Sequence, residues 1–171
     1  MNALLEPRLW RRAMAVRDLD AVMAVEANAY SHPWTRGNFI DSLAAGYLAE
    51  ILYGDDVGVV GYFVAMSGVD ELHLLNITVA PAWQGNGHGS SLLRAVQMHA
   101  RALGLATLWL EVRQSNERAR ALYARRGFAE VGLRKGYYPA GLRREDAVVM
   151  SLAVPTADDL ASDADGSRGG L

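Results

Sequence analysis

The chain has 171 residues, 17 Lys and Arg against 19 Asp and Glu, a formal net charge of −2 and 51% hydrophobic residues, which suits one domain with a full core. It has no cysteine, which excludes a disulfide framework, a thiolate zinc site and a cysteine nucleophile, and its four scattered histidines lack metal-ligand spacing, so no metal is expected. The opening MNALLEPRLWRR breaks the apolar run that a signal peptide needs, and no segment approaches membrane-spanning length, so a soluble cytoplasmic protein is expected.

Residues 9–16 read as a first strand, and Asp18 is placed to cap a helix that runs through Val22, Val25 and Ala29. In AYSHPWTRGNFIDSLAAG, Pro33 breaks the chain and Thr35 caps a second helix ending near Ala45. Residues 47–53 and 57–66 flank Gly54, Asp55 and Asp56, a hairpin signal, and residues 71–79 form the next strand of the meander.

The loop at residues 81–90, PAWQGNGHGS, joins that strand to a helix in which Leu92, Leu93, Val96, Ala100 and Leu103 recur at helical spacing. Gly85, Gly87 and Gly89 remove β-carbons and permit positive φ, so main-chain N–H groups at a helix N-terminus can approach an anion. A plain tight turn explains the glycines equally well. The loop lacks the Gly-Lys-Ser/Thr ending of a P-loop, and its last glycine interval does not match a Rossmann fingerprint.

After a helix stop at Gly104 comes the strand TLWLEV, with Leu108, Leu110 and Val112 on one face and Trp109 and Glu111 on the other. A carboxylate in so apolar a strand is either exposed or paired with an arginine such as Arg113, or it is a partly buried base. The helix that follows is capped by Ser115 or Asn116, contains Tyr123 and stops at Gly127. Residues 129–138 form a strand, Pro139, Ala140 and Gly141 a turn, and residues 146–152 the last strand. Residues 155–171, small and acidic, read as a disordered tail after a domain at residues 1–154. The many arginines between Arg94 and Arg144 read chiefly as solvated helix faces, and no nucleic-acid-binding motif accompanies them.

Asn76-Ile-Thr-Val, Gln84-x-x-Gly87-x-Gly89, LWLEVRQSN and ALYARRGF occur in the order and spacing of the GNAT superfamily of N-acetyltransferases, which residues 10–152 resemble. KGYYP and REDAVVM favour the branch acting on protein N-termini. The resemblance implies an α+β, three-layer GNAT fold with a mixed, mostly antiparallel central sheet of about seven strands flanked by about four helices.

It also implies acetyl transfer from acetyl-CoA to the N-terminal α-amine of a protein, above all the N-terminal alanine of a small-subunit ribosomal protein. On that resemblance Ile77, Thr78 and Val79 hold the pantetheine and acetyl part, the amides of Gly85, Asn86, Gly87, His88, Gly89 and Ser90 take the pyrophosphate, and Gln84 also binds the coenzyme. Asn116 binds further along the coenzyme. Glu111 accepts the amine proton, Tyr123 protonates the leaving thiolate, and Trp34, Asn76, Tyr137 and Tyr138 hold the acceptor. Tyr30, His32 and Pro33 belong to the same wall as Trp34. Neither a metal nor direct contact with nucleic acid or membrane is expected.

An α-amine has a pKa of about 7.7 to 8.0 and is roughly one third neutral near pH 7.5, whereas lysine at about 10.4 is only about 0.1% neutral. One carboxylate therefore has less to do for an N-terminus. Other protein N-termini, lysines, a small-molecule amine or antibiotic, and a non-catalytic acyl-CoA-binding module are the alternatives; the last would be expected to lack Glu111 or Tyr123.

Overall fold

The computed structural model describes residues 6–156 together with Asp158 and Asp159. Its strands are β1 (Trp10–Ala13), β2 (Leu48–Gly54), β3 (Gly58–Ser67), β4 (Glu71–Val79), β5 (Thr107–Arg113), β6 (Ala129–Ala140) and β7 (Arg143–Ala153). Its α-helices are α1 (Leu19–Ala29), α2 (Arg36–Ala44), α3 (His88–Ala102) and α4 (Glu117–Arg125). The seven strands form one mixed sheet in the order β1-β2-β3-β4-β5-β7-β6, which agrees with the mixed sheet of about seven strands that the resemblance implies. Of the pairings with a defined register, β4 with β5 is parallel and the others are antiparallel.

By contact density the chain divides into two compact units. One takes the residues up to Met66 together with Leu75–Leu93; the other takes Ser67–Leu74 and the chain from Arg94 onward.

The core of the first unit gathers Met14, Leu19, Val22, Phe39, Ala49, Ile51, Tyr62 and Val64. Thr35 caps α2 as expected: its Oγ1 accepts from Asn38 N at 3.1 Å, and Asn38 Oδ1 accepts from Thr35 N at 2.9 Å. Asp18 does not cap α1. Its carboxylate turns back to Ala15 N at 2.8 Å and takes two bonds from the Arg12 guanidinium, which holds it below the usual carboxylate range. The expected first strand ends early for the same reason, because a 3-10 turn at Val16–Asp18 brings that carboxylate round.

Gly61 in β3 has no room for a side chain. A β-carbon there would lie 2.6 Å from Thr78 O and 3.0 Å from Leu92 Cδ1. Gly61→Ala is therefore expected to displace β4 at Thr78 and cost roughly 1 to 3 kcal/mol, or about 2 to 12 °C in Tm. A thermal melt checks this, and an unchanged Tm would mean that the strand yields freely.

In the second unit Leu108, Leu110, Val112, Tyr123, Phe128, Ala147, Val148 and Met150 are buried. Alternation in β5 follows the sequence reading, with Trp109 and Glu111 on the less buried face. Leu103 departs from it: α3 stops at Ala102, which leaves Leu103 56% exposed.

The last hairpin also turns later than expected, at Gly141 and Leu142, since Ala140 already pairs with Arg143. Pro139 lies inside β6, where an edge position tolerates its missing N–H. The expected tail begins with Thr156 Oγ1 accepting from Asp159 N at 3.2 Å; residues 157 and 160–171 lie outside the described residues.

Candidate active site

Within the first unit, main-chain donors are arranged by strand geometry. Ala80 N donates to Val60 O at 2.8 Å, and Thr78 O faces Gly61, so the peptide groups of Ile77 and Val79 point away from β3. Their carbonyls are taken, Ile77 O by the Tyr30 hydroxyl at 3.1 Å and Val79 O by Gln84 Nε2 at 3.1 Å. Their N–H groups point the same way.

The glycine loop then runs through a 3-10 turn at Pro81–Trp83, with Gly85 at φ 82° and Gly87 at φ 84°, directly into α3. Ser91 N makes the bond to Gly87 O at 3.0 Å. The N–H groups of His88, Gly89 and Ser90 thus belong to the first helical turn, which has no intrahelical acceptors for them. Gly89 lies within that turn and does not use positive φ. No acidic side chain sits there either, so the helix end suits an anion. Asn86 Nδ2 braces the loop on Trp83 O and Gln84 O, each at 3.3 Å, and the His88 ring meets Trp83 edge-on at 5.9 Å.

Beside these donors lies a buried carboxylate that the sequence reading missed. Glu26, 1% exposed in α1, accepts from the Tyr62 hydroxyl, from Trp34 N at 2.9 Å and from Asn76 Nδ2 at 3.3 Å. Asn76 Oδ1 accepts from Thr78 Oγ1 at 2.7 Å, and Thr78 Oγ1 meets the Tyr30 hydroxyl at 2.8 Å. Burial pushes the Tyr30 phenol up to about 12 and the Tyr62 phenol further still, where the Glu26 charge adds to it. Asn76 and Trp34 therefore meet through Glu26, and the Asn76 side chain is engaged inside the protein. Leu19, Val22 and Glu26 are the buried positions of α1, so the signal was an acid on an apolar stripe.

In the second unit the Glu111 side chain is 7% exposed. Its Oε2 lies 3.0 Å from His73 Nε2, and its Oε1 lies 3.3 Å from Arg134 Nη1, an ion pair outside hydrogen-bond geometry. The arginine partner is Arg134 rather than Arg113. Arg113 instead reaches Pro139 O at 2.9 Å and Glu145 at 3.3 Å, and it stands over the Tyr138 ring at 4.5 Å. The Tyr138 hydroxyl donates to Glu111 O at 3.1 Å, and burial pushes its pKa up. Tyr137 packs edge-on against Tyr138 at 4.9 Å and receives Arg134 at 5.4 Å. Glu111 and Tyr137 thus meet at Arg134, and Tyr138 joins them through Glu111 O and the Tyr137 ring.

Asn116, not Ser115, caps α4, with Oδ1 accepting from Ala119 N at 3.1 Å. Tyr123 is buried, its ring 5.7 Å from Phe128. Among the described residues no group of three or more acidic or histidine side chains is placed to hold a metal ion, and no helix is long and apolar enough to cross a membrane.

Residues 19–128 match the acetyltransferase (GNAT) family. The chain belongs to that family. The ribosomal protein bS18-alanine N-acetyltransferase of Haemophilus ducreyi is 36% identical to this GNAT chain over 137 residues, 80% of this chain and 94% of that protein. The crystal structure of the ribosomal-protein-S18-alanine N-acetyltransferase from Escherichia coli superimposes with a TM-score of 0.81 at 35% identity, covering 88% of this chain and 96% of that one. A GNAT superfamily phosphinothricin acetyltransferase from Sinorhizobium meliloti in complex with AcCoA shares the fold, with a TM-score of 0.71 at 20% identity and coverage of 85% and 88%. GNAT acetyltransferases take their acetyl group from acetyl-CoA. The first-turn N–H groups without intrahelical acceptors and the acid-free start of α3 fit its phosphates.

Proposed function

We propose that this enzyme transfers the acetyl group of acetyl-CoA to the N-terminal α-amine of a protein, the alanine that begins a small-subunit ribosomal protein of the bS18 type. The observation that carries the chemistry is the buried Glu111 carboxylate, whose Oε1 has Arg134 at ion-pair distance but no hydrogen bond and so keeps an acceptor position open. The relatives named above support the identity of the amine. A ribosomal protein as substrate would place the enzyme in the cytoplasm.

In this reading the amides of Gly85 to Ser90 take the pyrophosphate, with Gln84 and Asn86 holding the loop in shape through their side chains. Ile77 and Thr78 line the pantetheine, and the Val79 N–H donates to the thioester oxygen, where negative charge develops as the amine attacks. Asn116 donates to the coenzyme with its side-chain amide while its oxygen caps α4. Glu111 accepts one proton of the incoming ammonium, the amine attacks the thioester, the C–S bond breaks as the amide bond forms, and Tyr123 gives the thiolate a proton; the second proton shed by the nitrogen restores the Tyr123 phenol, and Glu111 releases its proton to solvent. Trp34, Tyr137 and Tyr138 hold the acceptor peptide, and Asn76 acts through Glu26 and Thr78.

A peptide beginning with alanine is expected to be acetylated on its α-amine, and the same peptide with a blocked α-amine and free lysines is not. A tryptophan in first place is expected to lower kcat/KM. Tandem mass spectrometry locates the acetyl group. Acetylation mainly on lysine, or equal rates for the two starts, would sink the assignment in favour of a broader amine acceptor.

A further inference from the structure

Among the described residues, the two buried side-chain polar atoms without a hydrogen-bond partner lie on one face of β5: Trp109 Nε1 and Glu111 Oε1. His73 adjoins both residues. In the parallel register His73 is level with Trp109, and the two rings stack at 3.6 Å with 9° between their planes. From that position His73 Nε2 reaches Glu111 Oε2 at 3.0 Å. A carboxylate only accepts, so the Nε2 nitrogen carries the proton of this bond.

We infer that His73 is a positioning residue for the acetyl transfer: stacked flat on Trp109, it fixes one oxygen of Glu111 by donating to it and so presents the other to the acceptor ammonium. The terminal torsion of a glutamate is soft, and a half-exposed guanidinium stands beside this one. Without the His73 bond Glu111 is free to turn both oxygens to Arg134 in the forked geometry that arginine favours, and its acceptor is then occupied by a resident cation. With the bond in place, Arg134 holds Oε1 only at ion-pair distance, and an ammonium can displace it. This inference rests on the reading of Glu111 as proton acceptor.

Three variants of the full chain separate the possibilities. His73→Phe keeps a ring on Trp109 and loses the donor; His73→Gln loses the ring and keeps a donor near the Nε2 position; Glu111→Gln removes the base. His73→Phe is expected to lower kcat roughly 10- to 100-fold with acetyl-CoA affinity unchanged by calorimetry. His73→Gln is expected to recover most of the loss. In the Glu111→Gln background, His73→Phe is expected to cause no further drop. Should the Phe variant lose its thermal transition, His73→Leu takes its place.

Normal turnover of His73→Phe beside a slow Glu111→Gln would overturn the inference and leave Glu111 as the base. A Gln variant as slow as the Phe variant, or an additive loss in the double variant, would also overturn it. Normal turnover of Glu111→Gln would remove Glu111 from the mechanism and this role of His73 with it.

Discussion

Glu111→Gln is expected to lower kcat by about 10² to 10⁴, which corresponds to roughly 2.7 to 5.5 kcal/mol on the barrier, and to leave acetyl-CoA affinity unchanged. The substitution preserves volume. Its amide oxygen can still accept from His73 Nε2, so the stack on Trp109 and the pairing of β5 with β4 and β7 should persist. What is lost is the capacity to take a proton. The deficit is expected to be greatest below the pKa of the acceptor α-amine, about 7.7 to 8.0, where most of the substrate arrives as ammonium. Thiol release measures turnover, and calorimetry measures coenzyme binding. Equal turnover of the two proteins from pH 6 to 8 would rule out this role for Glu111.

Local patterns in the sequence were sufficient where neighbouring residues decide the structure. The alternation of TLWLEV separates buried Leu108, Leu110 and Val112 from Trp109 and Glu111, and Thr35 with Asn38 closes a capping box within four residues. The glycine loop likewise announced a strand-to-helix turn, although only Gly85 and Gly87 use the left-handed region. Expectations failed where a distant partner competed. Asp18 has two guanidinium bonds from Arg12 that outweigh a helix cap, and Arg113 is drawn to Glu145 and Tyr138, which leaves Glu111 to Arg134. His73 and Glu26 were overlooked for the same reason: the partner of one lies 38 positions away, and a partner of the other 50. The register of β4 on β5 brings the first pair together, and the contact of α1 with β4 the second.

Glu26 should matter more to stability than any surface charge. Loss of its carboxylate in Glu26→Ala strands three donors, the Tyr62 hydroxyl, Asn76 Nδ2 and Trp34 N, around a site 1% exposed. At about 1 to 3 kcal/mol for each buried donor left unpaired, and with some relaxation, the expected cost is on the order of 3 to 5 kcal/mol. That corresponds to roughly 6 to 20 °C in Tm for a chain of this size. Glu26→Gln is expected to be only a partial rescue, because Trp34 N and Asn76 Nδ2 can only donate and an amide has one oxygen to offer them, while its N–H₂ is left to the Tyr62 hydroxyl oxygen. The damage should also reach the acceptor side. Trp34 N hangs on Glu26 directly and loses that tie, whereas Tyr30 keeps its own bonds to Ile77 O and Thr78 Oγ1 and is affected only through Thr78 and Asn76, so the segment between α1 and α2 is loosened at its Trp34 end. A thermal melt gives the stability, and KM for the peptide, measured well below Tm, reports on the segment. A Glu26→Gln protein as stable as the parent, with the same peptide KM, would show that the network neither holds the fold nor positions the loop.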